Sequence, residues 1–517
     1  MSAAALPAWL RRRPALAALA AVAFLALAGG LVCGRGGDQA PEDTAATLVP
    51  ASALAYVHLS TDGDRDADAR FAALAEQLPT LLRLRDALVT AIAPQSLDVG
   101  RDVRPWLGDE LAYAAVSPSD SIVLAAVADR PRAEALVARV GNLSGAAEYR
   151  GTRLLVAGAT AIAFVGDFLA VGTEPAVRAA IDRAAGEGPR LADVGSYRRA
   201  LQDAPAGRSL TAWASAAGVR EVLAPREGLA GTLGTLVDRP GLQAAGAALT
   251  AQDGGLRADV HLVGGAQPDV AFAPVLLERV PEGAVAYLGV RGAARLAGLA
   301  ERLGGSGVRR ALRAPAREAG LALGRDLLAP LADEVALAVT APEEDPEGTA
   351  GGAPVVTLKA RTTDPARTGG ALARLQDPLA RRVALPGTVP GFRPELIGGL
   401  DAFTLRVTPR LAPTYAVGPE GVVLSTAPAG LAPPRGTLAA APAFEATVGE
   451  VPDTADSIVF LDVRRLLALG EQTGLTGLPG LATARDDLRR VRAAGAVARQ
   501  DPDHAADTVA ELVLQVP

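Results

Sequence analysis

The feature that most constrains this chain is that it repeats itself. Leu48–Ser60 reads LVPASALAYVHLS and Arg279–Arg291 reads RVPEGAVAYLGVR, so Val49-Pro50 matches Val280-Pro281 at an offset of 280 − 49 = 231. GRDVRPWLGDELAYAAV from Gly100 returns as GRDLLAPLADEVALAV from Gly324, at 324 − 100 = 224. AAGAALTAQDGGLRADVHL from Ala244 returns as AAGAVARQDPDHAADTVAELVL from Ala493, at 493 − 244 = 249. The order is preserved and the offsets drift only through insertions, such as PEEDPEGTAGGA in the second stretch. Order-preserving similarity of this kind predicts two copies of one unit, residues 48–270 and 271–517, joined through GGAQPDVAFAP at 264–274. Each copy exceeds 200 residues, enough for its own core.

One copy yields a coarse element order. LAYVHL reads as a strand, and residues 70–93 as an amphipathic helix interrupted near Pro79. ELAYAAV and SIVLAAVA form a hairpin around the turn residues SPSD. PRAEALVARV begins a helix with proline in the first turn, and EPAVRAAIDRAAG is a helix closed by glycine. TRLLVAG, TAIAFVG, FLAVGT and SLTAWAS are short strands, and the AAGA segment opens a final hairpin. Short strands with hairpin turns and segregated helices predict an α+β fold: two duplicated copies with largely antiparallel sheets and packed helices, preceded by one transmembrane helix. The copies either share a sheet or pack face to face.

The stretch at Gly100 poses a sharper question, because Asp109-Glu110 beside Trp106 has the look of an acid/base site. The duplicate keeps the acids as Asp333-Glu334 and the turn as Gly324-Arg325-Asp326, but places Ala329 or Pro330 where the tryptophan stands. What is kept is what a turn needs. Asp102 and Asp326 are suited to cap a short helix, the glycine relieves the turn, and the acidic pair fits a strand's wet end. The stretch reads as architecture.

At the N-terminus, Arg11, Arg12 and Arg13 precede an uncharged run from Pro14 to Cys33. Twenty helical residues span about 30 Å, enough for a bilayer core. The arginines place residues 1–13 in the cytoplasm and the chain beyond the 14–33 segment outside it, with 34–47 as a Gly/Pro/acid linker. Three fates stay open for this segment: an uncleaved anchor, a signal sequence cut near Ala26-Leu27-Ala28, or lipid attachment at Cys33, whose preceding Leu31-Val32 departs from a lipobox. All three put the bulk of the chain outside the cytoplasmic membrane.

The motifs VPxxAxAYxxL, GRD and LGDELA together resemble an uncharacterised family of membrane-anchored, extracytoplasmic actinobacterial proteins, one of the families defined only as a domain of unknown function. The similarity covers most of the chain after the linker, with PLADEVA replacing WLGDELA in the second copy. It implies location and architecture and supplies no catalytic residue.

The remaining chemistry is sparse. A net charge of −6 argues against a nucleic-acid partner. The single cysteine excludes an internal disulfide framework and a cysteine-based zinc site. Asp62, Asp64, Asp66 and Asp68 suggest a calcium loop, but EF-hand positions six and twelve fall on Ala67 and Ala73, so the run reads as a solvated helix entry. His58, His261 and His504 lack metal-ligand spacing, and the first two fall in strands, where a hydrogen-bonded sheet histidine is the ordinary role; a His/carboxylate site requires the fold to gather them. No GxSxG or phosphate loop occurs, the sole lysine Lys359 follows a strand, and Asn142-Leu143-Ser144 is a bare glycosylation pattern. No catalytic, cofactor-binding or metal-binding residue is assigned, and no cofactor. The expectation is a single-pass, membrane-tethered, non-enzymatic binding or scaffolding module of the cell envelope, with its helix as membrane partner. The alternatives are a carrier of an apolar ligand or lipid, and an extracytoplasmic hydrolase with dispersed acids.

Overall fold

The computed structural model describes residues 42–62, 65–76, 99–140, 145–157, 160–223, 237–266, 269–302, 307–341, 353–383, 391–408, 411–473 and 488–516. The expected membrane segment 14–33 with its arginines, the linker up to residue 41, Asp64, residues 77–93 of the expected helix and the 142–144 glycosylation pattern lie outside those residues. Among the described residues, no helix is long and apolar enough to cross a membrane.

The chain mixes helices with an antiparallel sheet. Among the described residues ten strands come first: β1 (Ala55–Ser60), β2 (Leu107–Ala115), β3 (Ser121–Val127), β4 (Gly145–Tyr149), β5 (Thr152–Ala157), β6 (Thr160–Val165), β7 (Phe168–Thr173), β8 (Leu210–Ser215), β9 (Ala244–Gln252) and β10 (Gly255–Val263). Ten more follow: β11 (Ala284–Arg291), β12 (Glu334–Thr340), β13 (Val355–Ala360), β14 (Phe392–Ile397), β15 (Leu400–Leu405), β16 (Thr414–Gly418), β17 (Gly421–Ser425), β18 (Ser457–Leu461), β19 (Ala493–Gln500) and β20 (Thr508–Gln515). The first ten pair in the order β4-β5-β6-β7-β3-β2-β1-β8-β9-β10. The second ten pair in the same order with each number raised by ten. Antiparallel pairing of β10 with β20 joins them into one sheet.

That seam has its own symmetry. Val263 pairs with Ala244 in the first hairpin and Gln515 with Ala493 in the second, which sets an offset of 515 − 263 = 252 along these strands. Across the seam Asp259 pairs with Glu511, and 511 − 259 is again 252. The seam is thus centred on the two residues that stand at the same register position of their hairpins. Arg257 lies beside it, 2.8 Å from Asp259 and 2.9 Å from Glu511, and offsets the two facing carboxylates.

The central strands are buried on both faces, which is why β1 reads AYVHLS without polar alternation. One face packs Tyr56, Leu124 and Trp213 against helices Glu174–Ala184 and Gly195–Leu201; the other packs Leu59, Leu111 and Tyr113 with Trp106 and Phe71. The repeated AAGA has a packing reason. A Cβ on Gly246 would stand 2.4 Å from the Ala200 carbonyl oxygen, and one on Gly495 would stand 2.5 Å from that of Thr447. Helices Gly195–Leu201 and Pro442–Val448 thus press directly onto β9 and β19, at positions only glycine leaves open.

Several local expectations change. Asp102 and Asp326 lie inside π-helical turns, Val99–Val103 and Leu323–Leu328, instead of capping a helix. The Asp102 carboxylate is buried and held by Arg139 at 2.7 Å, while its backbone carbonyl accepts the Trp106 indole N–H at 2.9 Å. Asp326 accepts the Ala322 N–H at 2.8 Å and pairs with Arg325 and Arg367, which hold its carboxyl below the usual range. Asp109 is exposed, but Glu110 and Glu334 are buried and not at a wet end. β4 was not anticipated, because an edge strand with four of its five residues exposed carries no hydrophobic alternation.

Candidate functional site

The acidic strand ends and two of the three histidines form the polar interior of the sheet. Just before β1, Ala45–Leu48 forms a 3-10 turn that lies over the start of β2. Glu110 faces it from β2 and accepts the backbone N–H of Thr44 at 3.2 Å and of Ala45 at 3.3 Å, together with the Thr44 hydroxyl. His58, opposite on β1, reaches the same carboxylate at 3.0 Å. Asp43 accepts the Ala46 N–H at 3.1 Å, the Tyr56 hydroxyl at 2.5 Å and the Tyr197 hydroxyl. Asp43, His58 and Glu110 thus stand close enough to share an ion, yet every carboxylate oxygen already accepts a hydrogen bond. Burial alone would lower the His58 pKa; the Asp43 charge and the Glu110 bond outweigh it and hold the imidazole above its ordinary value. Burial first, then the Asp43 charge, raises Tyr56 and Tyr197 as well. This network fastens the entering chain to the sheet.

The second half keeps the skeleton and drops the polarity. Glu334 again faces a 3-10 turn, Val275–Arg279, and accepts the Leu276 N–H at 2.9 and 3.0 Å from its two oxygens. At the same offset of 231, Pro274 stands for Asp43, Tyr287 for Tyr56 and Gly289 for His58. Phe444 against Phe460, centroids 5.4 Å apart, replaces Tyr197 against Trp213 at 5.9 Å. The Tyr287 hydroxyl is buried without a hydrogen-bond partner among the described residues. Burial raises the Glu334 pKa to about 7 against the lowering effect of the Leu276 N–H.

A different cluster sits at the seam. His261 on β10 faces Asp501 and Asp507 of the β19–β20 loop, with Nε2 3.3 Å from an Oδ2 of each. All three residues are buried. Asp507 accepts the Gly264 N–H at 2.7 Å through Oδ1, and Arg199 Nε lies 3.3 Å from its Oδ2. Asp501 uses Oδ1 for the N–H groups of Asp503 at 2.8 Å and His504 at 3.3 Å. Its Oδ2 has no hydrogen-bond partner among the described residues, and neither has the buried His504 Nδ1, 3.7 Å away. The cluster borders a cleft of about 430 Å³ over the seam, lined by Arg257, Asp259, Arg499 and Glu511 and walled by the 195–201 and 442–448 helices.

The fold therefore gathers His261 with His504 and keeps His58 apart in its own network. Among the described residues the acidic run makes no shared centre: Asp66 is exposed, and Asp68 turns to Ser60 at 2.5 Å and to buried Arg65 at 2.9 Å. Asp43, Tyr197, Asp501 and Asp507 carry no motif. The one available signal was the loop DPDHAAD, rich in ligand atoms, where the first half has only the short turn QDGG.

A family model described as "Protein of unknown function (DUF3352)" matches residues 15–385, and the chain belongs to that family. No curated protein matches it. Crystal form I of TP0453 is similar at 10% identity over 43% of this chain and 80% of its own, and crystal form III at 11% over 43% and 81%, each with a TM-score of 0.28. Scores at that level carry no argument.

Proposed function

With membership of that family as premise, we propose that this chain is a membrane-tethered, extracytoplasmic binding or scaffolding module, built by duplication from the units 48–270 and 271–517 and displaying one polar cleft at their junction. The identical strand order of the two halves and the self-matching seam register support the duplication. The arginines and the uncharged 14–33 segment support the tether.

One observation carries the reading. The first described residues after the linker are pinned into the middle of the sheet by hydrogen bonds, buried or partly buried, to Asp43 and Glu110. The half that continues from the proposed anchor has this polar fastening; the half that does not has Pro274, Tyr287 and Gly289 in the same places. A chain end that transmits force from a membrane is well served by such a fastening. The charged lining of the seam cleft suits a polar partner better than a lipid.

A reporter active only outside the cytoplasm, fused after Pro517, is expected to be active. Glu in place of Arg11, Arg12 and Arg13 is expected to reduce that activity, because those charges set orientation. A fusion active only in the cytoplasm would reverse the topology and remove the reading.

A further inference from the structure

We propose that the seam holds a divalent transition-metal ion of the zinc class, bound by His261 Nε2, Asp501 Oδ2 and Asp507 Oδ2. The site goes beyond the tethered-module reading and does not depend on where the chain resides.

Charge is the first argument. Two carboxylates with oxygens within 4.8 Å of each other are buried beside a histidine, and among the described residues Arg199 is the one arginine paired with them. Like charges so placed repel, and a cation between them relieves that repulsion.

Geometry is the second. Zinc bonds to nitrogen and carboxylate oxygen are about 2.0–2.2 Å long, so neighbouring corners of a tetrahedral site lie roughly 3.3–3.6 Å apart. His261 Nε2 stands 3.3 Å from each of the two Oδ2 atoms, and the three atoms all lie within 4.8 Å of one another. The two histidine–carboxylate separations match edges of such a tetrahedron.

The third argument is an orphaned atom. Asp501 Oδ2 is buried, 3.3 Å from His261 Nε2, and has no hydrogen-bond partner among the described residues. Buried polar atoms are ordinarily satisfied, and this exception inside a His/Asp/Asp cluster points to a missing partner. The other oxygens are held by the Gly264, Asp503 and His504 N–H groups, which orient the carboxylates as outer-shell bonds do in metal sites. In the Asp43–His58–Glu110 cluster every carboxylate oxygen accepts a backbone or hydroxyl proton, whereas at the seam Asp507 Oδ2 meets His261 and Arg199 and Asp501 Oδ2 accepts no hydrogen bond among the described residues.

Arg199 is the competitor. Its side chain is one-third exposed and also donates to Gln243 at 3.2 Å, so it can leave Asp507 when an ion enters.

Isothermal titration of the full-length chain with Zn²⁺ is expected to show one site. Asp501→Asn is expected to weaken it at least 100-fold while leaving the fold intact, because the altered oxygen makes no hydrogen bond among the described residues. His504→Ala is expected to weaken it about tenfold, in the range that loss of a supporting group gives. Arg199→Gln is expected to tighten it, and Glu110→Gln to leave it unchanged. A wild-type chain that takes up no Zn²⁺ would overturn the proposal. So would Asp501→Asn and His504→Ala variants that bind as wild type does.

Discussion

His58 and His261 both sit on strands of one sheet, both are buried, and both face two carboxylates, yet the surroundings give them opposite roles. Around His58 every acid oxygen accepts backbone or hydroxyl protons, and the group closes on itself. Around His261 the backbone satisfies one oxygen of each acid; the other oxygen of Asp507 meets the imidazole and Arg199, and that of Asp501 faces the imidazole with no hydrogen-bond partner among the described residues. Residue types alone do not separate a structural network from a ligand site. The count of lone pairs left over does.

The comparison can be broken most forcefully at Glu110. Removing its side chain leaves the N–H groups of Thr44 and Ala45 and the His58 ring without their buried acceptor, so Glu110→Ala is expected to destabilise the protein by about 3–5 kcal/mol in chemical denaturation. Asp501→Asn in metal-free buffer is expected to change stability by less than about 1 kcal/mol. Equal losses in the two variants would erase the distinction.

Glu334 sharpens it next, through pH. Burial raises its folded-state pKa from 4.5 to about 7, so the folded protein holds that proton more tightly than the unfolded chain. Its contribution is complete below pH 4.5 and is lost as pH rises through about 7, a swing on the order of 3 kcal/mol. Unfolding free energies measured across that window should fall for the wild type. They should fall less steeply for Glu334→Gln, which has no proton to lose; parallel curves would show that Glu334 titrates normally.

The smallest effects separate the two matched tyrosines. Tyr56→Phe removes a charge-assisted bond to Asp43 and is expected to cost roughly 1.5–3 kcal/mol. Tyr287→Phe removes a buried hydroxyl with no hydrogen-bond partner among the described residues, and is expected to be neutral or slightly stabilising. A large loss from Tyr287→Phe would mean that the second half has a polar fastening of its own.

Much of this architecture was legible in the chain. VPxxAxAY, GRD, the DE pair and AAGA mark equivalent places in the two halves because each does backbone work there: entering β1 and β11, forming a π-helical turn, accepting N–H groups, and admitting a helix against Gly246 or Gly495. Antiparallel hairpins followed from local turns, as at Ser117–Asp120, where the Ser117 hydroxyl donates to Asp120 at 2.7 Å. The seam was not legible, because pairing of β10 with β20 joins residues about 250 positions apart with no local signature. The site shares that blindness. His261 lies 240 residues before Asp501, and only the unequal lengths of QDGG and QDPDHAAD hinted that the second turn carries something the first does not. Glu110 was misplaced at a wet end because a carboxylate at a strand terminus is ordinarily solvated, and the 3-10 turn that covers it comes from residues 65 positions earlier.

The most direct test is a crystal of the protein grown with Zn²⁺ and measured at the zinc absorption edge. The expected result is one anomalous peak about 2 Å from His261 Nε2 and from the Oδ2 atoms of Asp501 and Asp507, with none beside His58. A peak between His58 and Glu110, or no peak at the seam, would contradict the account.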